Sequence, residues 1–164
     1  MLTRAAALEL PGWYLVAGAL CQTVWNVTTG QPPEAGILDY DLVYFDASDL
    51  SWAAEDAVIK RGEEVFAGLP APVQIRNQAR VHLWYESRFG IPCPPHTSSE
   101  AAISTYEATA ACLGVRLLPA GRWRVFAPTG CLTCWAWLCA RTRRSPRARS
   151  TRPRPPAGRG NGRS

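Results

Sequence analysis

The last 34 residues of the chain contain no acidic residue. Residues 131–164 carry nine arginines and a net charge of +9, whereas residues 1–130 hold nine basic and 13 acidic residues, a net charge of −4. The formal charge of +5 therefore arises from the end of the chain, and it does not identify residues 1–130 as a nucleic-acid-binding domain. Nucleic-acid binding through the clustered arginines stays open as an alternative that we do not favour.

A long apolar run is also absent. The apolar stretch from Trp13 to Cys21 is too short to span a bilayer. Because Glu9 and Pro11 precede it and only Arg4 adds a basic side chain, this stretch is also a poor signal peptide. We therefore expect a cytoplasmic protein without a membrane partner.

Histidine is scarce, and the six cysteines do not form a complete metal-binding motif. Cys131 and Cys134 have the spacing of half a zinc site, but no second pair and no suitably spaced histidines accompany them. The remaining cysteines before residue 130 are widely separated, which is typical of thiols in a reducing compartment. They are Cys21, Cys93 and Cys112.

The composition changes abruptly near residue 130. Before this point the length suffices for one domain with a proper core. After Ala140, arginine, proline, serine and glycine dominate, and no hydrophobic period persists. We predict a folded domain over residues 1–130 and a basic, low-complexity, disordered tail over residues 131–164. Translation of the tail in a shifted reading frame would also explain the change.

Apolar periodicity within residues 1–130 predicts strands and helices without regular βαβ repetition. Strands are expected at residues 13–16, 37–46 and 73–76, and a hairpin at residues 115–118 and 123–126. Helices are expected before Pro11, after Gly18, after Asp49 or Ser51, between residues 81 and 90, and from about residue 99 to Tyr106. We therefore predict an α/β (α+β) fold with helices packed on a mixed sheet.

Two carboxylates stand at alternate positions of the second expected strand. Side chains alternate along a strand, so Asp39 and Asp41 share one face, roughly 6–7 Å apart. Mg²⁺ is commonly held by one or two carboxylates together with substrate phosphates. Upstream, Gly18 would let backbone amides at a helix start approach an anion closely. This pattern predicts a site for a nucleoside triphosphate and Mg²⁺; the alternative is that Asp39 caps a turn and Asp41 lies on a solvated sheet face.

Seven segments carry a further pattern: Val16–Ala19, Val24–Asn26, the Asp39-x-Asp41 pair, Asn77–Tyr85, Phe89–Gly90, Pro94–Pro95 and Ala127–Gly130. Together they resemble a bacterial branch of the nucleotidyltransferase superfamily over roughly residues 8–130. The resemblance implies that Asp39 and Asp41 are catalytic metal ligands and that a nucleotidyl group passes to a hydroxyl acceptor of unknown identity. Ala19 stands where the superfamily often has serine, so backbone donors of Gly18 and Ala19 would bind the phosphates.

A third carboxylate on a neighbouring strand is usual in active members of the superfamily, where it helps to activate the attacking hydroxyl. The corresponding segment here is Val73–Asn77, which has no acidic residue. We expect Asn77 to lie close to the aspartate pair, where its carbonyl could coordinate a metal but could not act as a base. Arg80 is expected to pair with triphosphate oxygens, unless it faces solvent. Two functions therefore stay open: a nucleotidyltransferase, or a non-catalytic relative that binds or senses nucleotides.

Overall fold

Five strands and five α-helices form the part of the chain that the computed structural model describes, residues 1–108 and 111–128. The helices are α1 (Leu2–Ala7), α2 (Gly18–Thr29), α3 (Trp52–Val65), α4 (Tyr85–Phe89) and α5 (Ser99–Ile103). The strands are β1 (Tyr14–Val16), β2 (Tyr40–Tyr44), β3 (Val73–Asn77), β4 (Gly114–Leu117) and β5 (Trp123–Phe126). Short 3₁₀ turns lie at Val81–Leu83 and Pro119–Gly121.

The strands form one mixed sheet in the order β3-β2-β1-β4-β5. Only β2 and β3 pair in parallel within the described sheet, and α3 makes the crossover between them. The remaining neighbours are antiparallel, including the expected hairpin of β4 and β5. The prediction of a mixed sheet with packed helices is therefore confirmed.

Alternation along the strands gives the sheet two buried faces. Leu42, Tyr44 and Ile75 point to one face, where they pack with residues of α1 and with Phe66 after α3. The opposite face carries a smaller cluster that packs against α5, comprising Tyr14, Val16, Val43 and Ile103. Asp41 alternates with Leu42, so it belongs to this second face.

Helix α3 is fixed at its start by a cap and along its length by close packing. Ser51 is its N-cap, and the Ser51 hydroxyl accepts a hydrogen bond of 3.2 Å from the Ala54 amide. One turn before the end of α3, Gly62 lies against Ile75 of β3 so closely that a Cβ would collide with the Ile75 side chain. This contact holds α3 tightly over the parallel pair of strands.

Element boundaries differ from the expected ones where local turns compete. β2 ends at Tyr44 instead of residue 46, because the Asp46 carboxylate accepts hydrogen bonds from the Ser48 amide and hydroxyl. The expected helix between residues 81 and 90 divides into a 3₁₀ turn and α4, and α5 ends at Ile103, before Tyr106.

The predicted basic tail, residues 131–164, lies outside the described residues. Across the residues that the structure describes, no helix combines the length and hydrophobicity needed to cross a membrane.

Candidate functional site

The aspartate pair lies at the start of β2, beside the point where the chain leaves β1 for α2. Asp41 is directly opposite Val16 in the antiparallel β1–β2 pair, and α2 begins two residues after Val16. Asp39 precedes β2 by one residue. The sheet therefore brings the two carboxylates and the start of α2 to the same end of the molecule, as the sequence predicted.

A single residue, Ala17, connects β1 to α2. Ala17, with φ of 58° and ψ of −134°, has the unusual backbone, while Gly18 is the first residue of the helix. Such a conformation costs a non-glycine residue about 1–3 kcal/mol and is found most often at functional sites. The strained backbone thus lies at Ala17, and Gly18 begins the helix, as its predicted place at a helix start requires.

The beginning of α2 nevertheless has the features of an anion site. The amides of Leu20 and Cys21 donate to the Ala17 carbonyl at 3.2 and 3.4 Å. The amides of Gly18 and Ala19 precede them and have no acceptor within the helix, as at every helix start. None of the described atoms lies within 4 Å of the place where a Cβ of Gly18 would stand. A phosphate would therefore find open space beside two backbone donors.

Burial and charge make Asp41 an unusual carboxylate. Burial raises its pKa, the neighbouring charge of Asp39 raises it further, and Arg76 opposes both effects. The pKa of the Tyr106 hydroxyl is also raised, mainly by burial and then by the negative charge of Asp41. Negative charge is therefore concentrated at Asp41, and no cation of residues 1–108 and 111–128 is in direct contact with it.

The residues present fit a divalent cation that is held partly by its nucleotide. No described salt bridge involves Asp39 or Asp41, so both carboxylates lack a cationic partner in direct contact. In the same residues, no group of three or more histidine, cysteine or acidic side chains is placed to hold a metal. Two carboxylates together with phosphate oxygens and water are an ordinary ligand set for Mg²⁺. A cation here would also relieve the charge repulsion that raises the pKa of Asp41.

The structure does not bring Asn77 to the aspartates. Asn77 pairs with Tyr44 in the parallel register, three residues further along the sheet than the pairing of Asp41 with Gln74. This offset corresponds to about 10 Å, and the odd number of residues places Asn77 on the opposite face. Its side chain bonds the Asp46 backbone, accepting from the amide at 3.0 Å and donating to the carbonyl at 2.7 Å. The expected proximity is therefore wrong.

Arg80 neither faces solvent nor extends freely towards a phosphate. Its side chain is 8% exposed, forms an ion pair with Glu55, and donates from Nε to the Leu50 carbonyl at 2.8 Å. The second carboxylate oxygen of Glu55 accepts a hydrogen bond of 2.8 Å from the backbone amide of Asn77. Arg80 and Asn77 thus belong to one buried network. Triphosphate binding by Arg80 stays a prediction, and the contacts of Arg80 with Glu55 and Leu50 leave few of its N–H groups for a phosphate.

Sequence reasoning missed Gln74. It lies opposite Asp41 on β3, and its amide nitrogen donates to the Asp39 carboxylate at 2.6 Å. Gln74 therefore lies on the neighbouring strand where the third carboxylate was sought. The register of the β2–β3 pair identifies Gln74. The sequence alone did not distinguish Gln74 from Asn77, because three of the five residues of β3 are polar.

Comparison with known proteins identifies the family of this chain. A family model described as Nucleotidyltransferase matches residues 3–154, most of the chain. The chain belongs to the nucleotidyltransferase family. The matched range of this family member continues past residue 130, where we placed the end of the folded domain. Comparison with curated proteins gave no match.

A solved structure shares the fold of this nucleotidyltransferase family member. It is an NMR structure described as revealing a CCA-adding enzyme head domain, similar with a TM-score of 0.63 and 25% sequence identity. The similarity covers 78% of this chain and 63% of that chain. The chain therefore spans less than two thirds of the length of the structure that it matches.

Proposed function

We propose that this protein binds a nucleoside triphosphate together with Mg²⁺ and transfers a nucleotidyl group from it to a hydroxyl acceptor. The observation that carries the proposal is the position of Asp39 and Asp41 beside the open start of α2. Family membership supports the reaction type. In this proposal, Asp39 and Asp41 hold the cation and the amides of Gly18 and Ala19 donate to the phosphates.

In-line transfer forms a bond from the acceptor oxygen to the α-phosphorus and breaks the bond to the pyrophosphate leaving group, while the acceptor proton passes to solvent. Catalysis of such reactions rests on positioning and charge neutralisation. The cation would supply that neutralisation when bound. The chain orients the participants: the Ala17 turn aims the first amides of α2, and Gln74 holds the Asp39 carboxylate by its 2.6 Å hydrogen bond.

Calorimetry with a non-hydrolysable triphosphate tests the binding step. Asp39→Asn with Asp41→Asn should abolish Mg²⁺-dependent binding, because amide oxygens are much weaker ligands than carboxylates. Asp56→Asn is the matched control, since Asp56 lies on the outer surface of α3 in an ion pair with Lys60. Circular dichroism checks that the double variant stays folded. Unchanged Mg²⁺-dependent binding in the double variant would overturn the proposal.

A nucleotide-binding relative without catalytic activity is the second candidate function. It is favoured by one observation: Gln74, which faces Asp41, cannot accept a proton from the attacking hydroxyl as a carboxylate would. Turnover of a labelled triphosphate with a panel of hydroxyl acceptors separates the two candidates. Release of pyrophosphate that depends on an acceptor would support the transferase.

A further inference from the structure

A cleft lies along the outer edge of the sheet. Its volume is about 510 Å³, which is within the range of small-molecule sites. The cleft runs along β3, the last strand of the described sheet, between α3 and α4. Its walls are formed by Trp52, Glu55, Ile59, Gln74, Arg76, Arg80, Trp84, Arg88 and Phe89.

The cleft has an excess of positive charge. Three arginines line it, and Glu55 is the only acidic residue among the lining residues. Glu55 is already paired with Arg80. No salt bridge of the described residues includes Arg76 or Arg88. Arg76 donates from one Nη to the Ile75 carbonyl at 2.9 Å, and neither guanidinium charge is neutralised by a carboxylate in direct contact within this part of the chain. Guanidinium groups bind phosphate oxygens through paired donors.

Aromatic rings complete the cleft. Trp52, at the first turn of α3, is 70% exposed, and Phe89 at the end of α4 is more than half exposed. Trp84 packs against Phe89 with ring centroids 6.4 Å apart. Arg88 lies over the Phe89 ring, with Cζ 5.6 Å from its centroid. Exposed rings beside guanidinium groups form a surface suited to stacking a planar heterocycle.

Gln74 connects this cleft to the aspartate pair. It lines the cleft and at the same time donates to the Asp39 carboxylate. Arg76 also lines the cleft, and it pairs with Val43, two residues after the pairing of Gln74 with Asp41, so it lies on the same face of the sheet. A molecule in the cleft would therefore lie beside the proposed triphosphate site.

From this arrangement we infer that the cleft binds the acceptor, and that the acceptor is a nucleoside monophosphate unit, free or at the end of a nucleic acid. Its phosphate lies between Arg76 and Arg88, and its base stacks on Trp52 and Trp84. Binding in the cleft depends only on these residues. The role as acceptor rests on the proposed transfer function.

Calorimetry with AMP in metal-free buffer tests the binding. AMP should bind, while adenosine and inorganic phosphate alone should each bind at least about tenfold more weakly, because each lacks one half of the contacts. Arg88→Gln and Trp52→Ala should each weaken AMP binding by about tenfold. Arg122→Gln and Trp123→Ala are the matched controls, since both residues are exposed and lie outside the cleft. A short single-stranded RNA ending in adenosine distinguishes a free nucleotide from a chain end by its tighter binding.

Three outcomes would overturn the inference. The first is absence of AMP binding, and the second is equal loss in the cleft variants and their controls. The third is competition between AMP and a non-hydrolysable Mg²⁺–triphosphate, which would assign the cleft to the triphosphate.

The Asp39→Asn, Asp41→Asn variant separates the two proposals. It should keep AMP binding in metal-free buffer while losing Mg²⁺-dependent triphosphate binding. If the wild type does not bind the triphosphate with Mg²⁺, the proposed function is contradicted. If the wild type binds the triphosphate but not AMP, only the assignment of the cleft is contradicted.

Discussion

The two ends of the parallel β2–β3 pair use polar residues in opposite ways. At the end that contains Asn77, the side chain of this residue is 2% exposed and bonds the Asp46 backbone, while Glu55 and Arg80 neutralise each other. At the other end, Asp39 and Asp41 lie close together, and among the described residues only the Gln74 side-chain amide bonds one of these carboxylates, that of Asp39. The first arrangement closes a loop onto the sheet, and the second leaves negative charge for a ligand.

Polar character alone therefore does not identify a binding residue. The resemblance assigns Asn77 and Arg80 to the nucleotide site. In the structure, both residues instead form hydrogen bonds with other residues of the protein. A buried polar group normally forms hydrogen bonds with other groups of the protein. Asp41, by contrast, is only partly buried, and its carboxylate has no salt bridge among the described residues. Burial, and then the charge of Asp39, raise its pKa.

Removing a charge from the Glu55–Arg80 pair, at the end of the β2–β3 pair that contains Asn77, should have the largest effect on stability. Glu55→Gln leaves the buried Arg80 charge without its partner, and we expect a loss of about 3 kcal/mol or more in the free energy of unfolding. Urea denaturation measures it. Glu64→Gln, on an exposed part of α3, is the control and should change stability by less than about 0.5 kcal/mol. Equal effects of the two changes would show that the pair is not energetically important.

Asn77→Asp should be less costly, but still destabilising. The change removes the donor to the Asp46 carbonyl and adds a charge at a buried position next to Glu55, so we expect a loss of about 1–3 kcal/mol. Gln74→Glu, at an exposed position on the same strand, serves as the matched comparison in urea denaturation. If Gln74→Glu lowered the free energy of unfolding more than Asn77→Asp, the assignment of Asn77 to a structural network and of Gln74 to the ligand site would be contradicted.

The same two variants should differ in Mg²⁺ binding. Gln74→Glu adds a third carboxylate opposite Asp41 and should tighten Mg²⁺-dependent triphosphate binding by about tenfold, whereas Asn77→Asp should leave it unchanged. Calorimetry at fixed triphosphate concentration measures both. If Asn77→Asp tightened binding as well, the placement of Asn77 outside the site would be contradicted.

The smallest effect expected is a pH dependence from Asp41. Its pKa in the folded state lies above the ordinary value of 3.8, so the folded protein binds more protons across that interval and loses stability as pH rises through it. Asp41→Asn removes this loss. Relative to wild type, the variant should therefore gain stability between pH 4 and pH 7 in urea titrations without metal. A constant difference between the two proteins across this range would contradict the assignment.

The sequence was sufficient for the features that depend on local geometry. Alternation along one strand places Asp39 and Asp41 together, and Ser51 caps α3 as one of the two expected residues. The position of Asn77 depended instead on the register between β2 and β3, which no local pattern specifies. The ion pair of Glu55 and Arg80 likewise depends on the packing of α3 over β3.

The central position of β1 has a consequence for how the protein folds. Leu15 of β1 pairs with Leu42 on one side and with Val115 on the other, 100 residues later in the chain. Contacts between such distant residues slow folding, because a long loop must close before they form. The start of α2 follows directly from β1, so the amides of Gly18 and Ala19 take their final position only when both neighbours have docked. The capacity to bind a nucleotide should therefore emerge late in refolding, after most of the helical structure has formed.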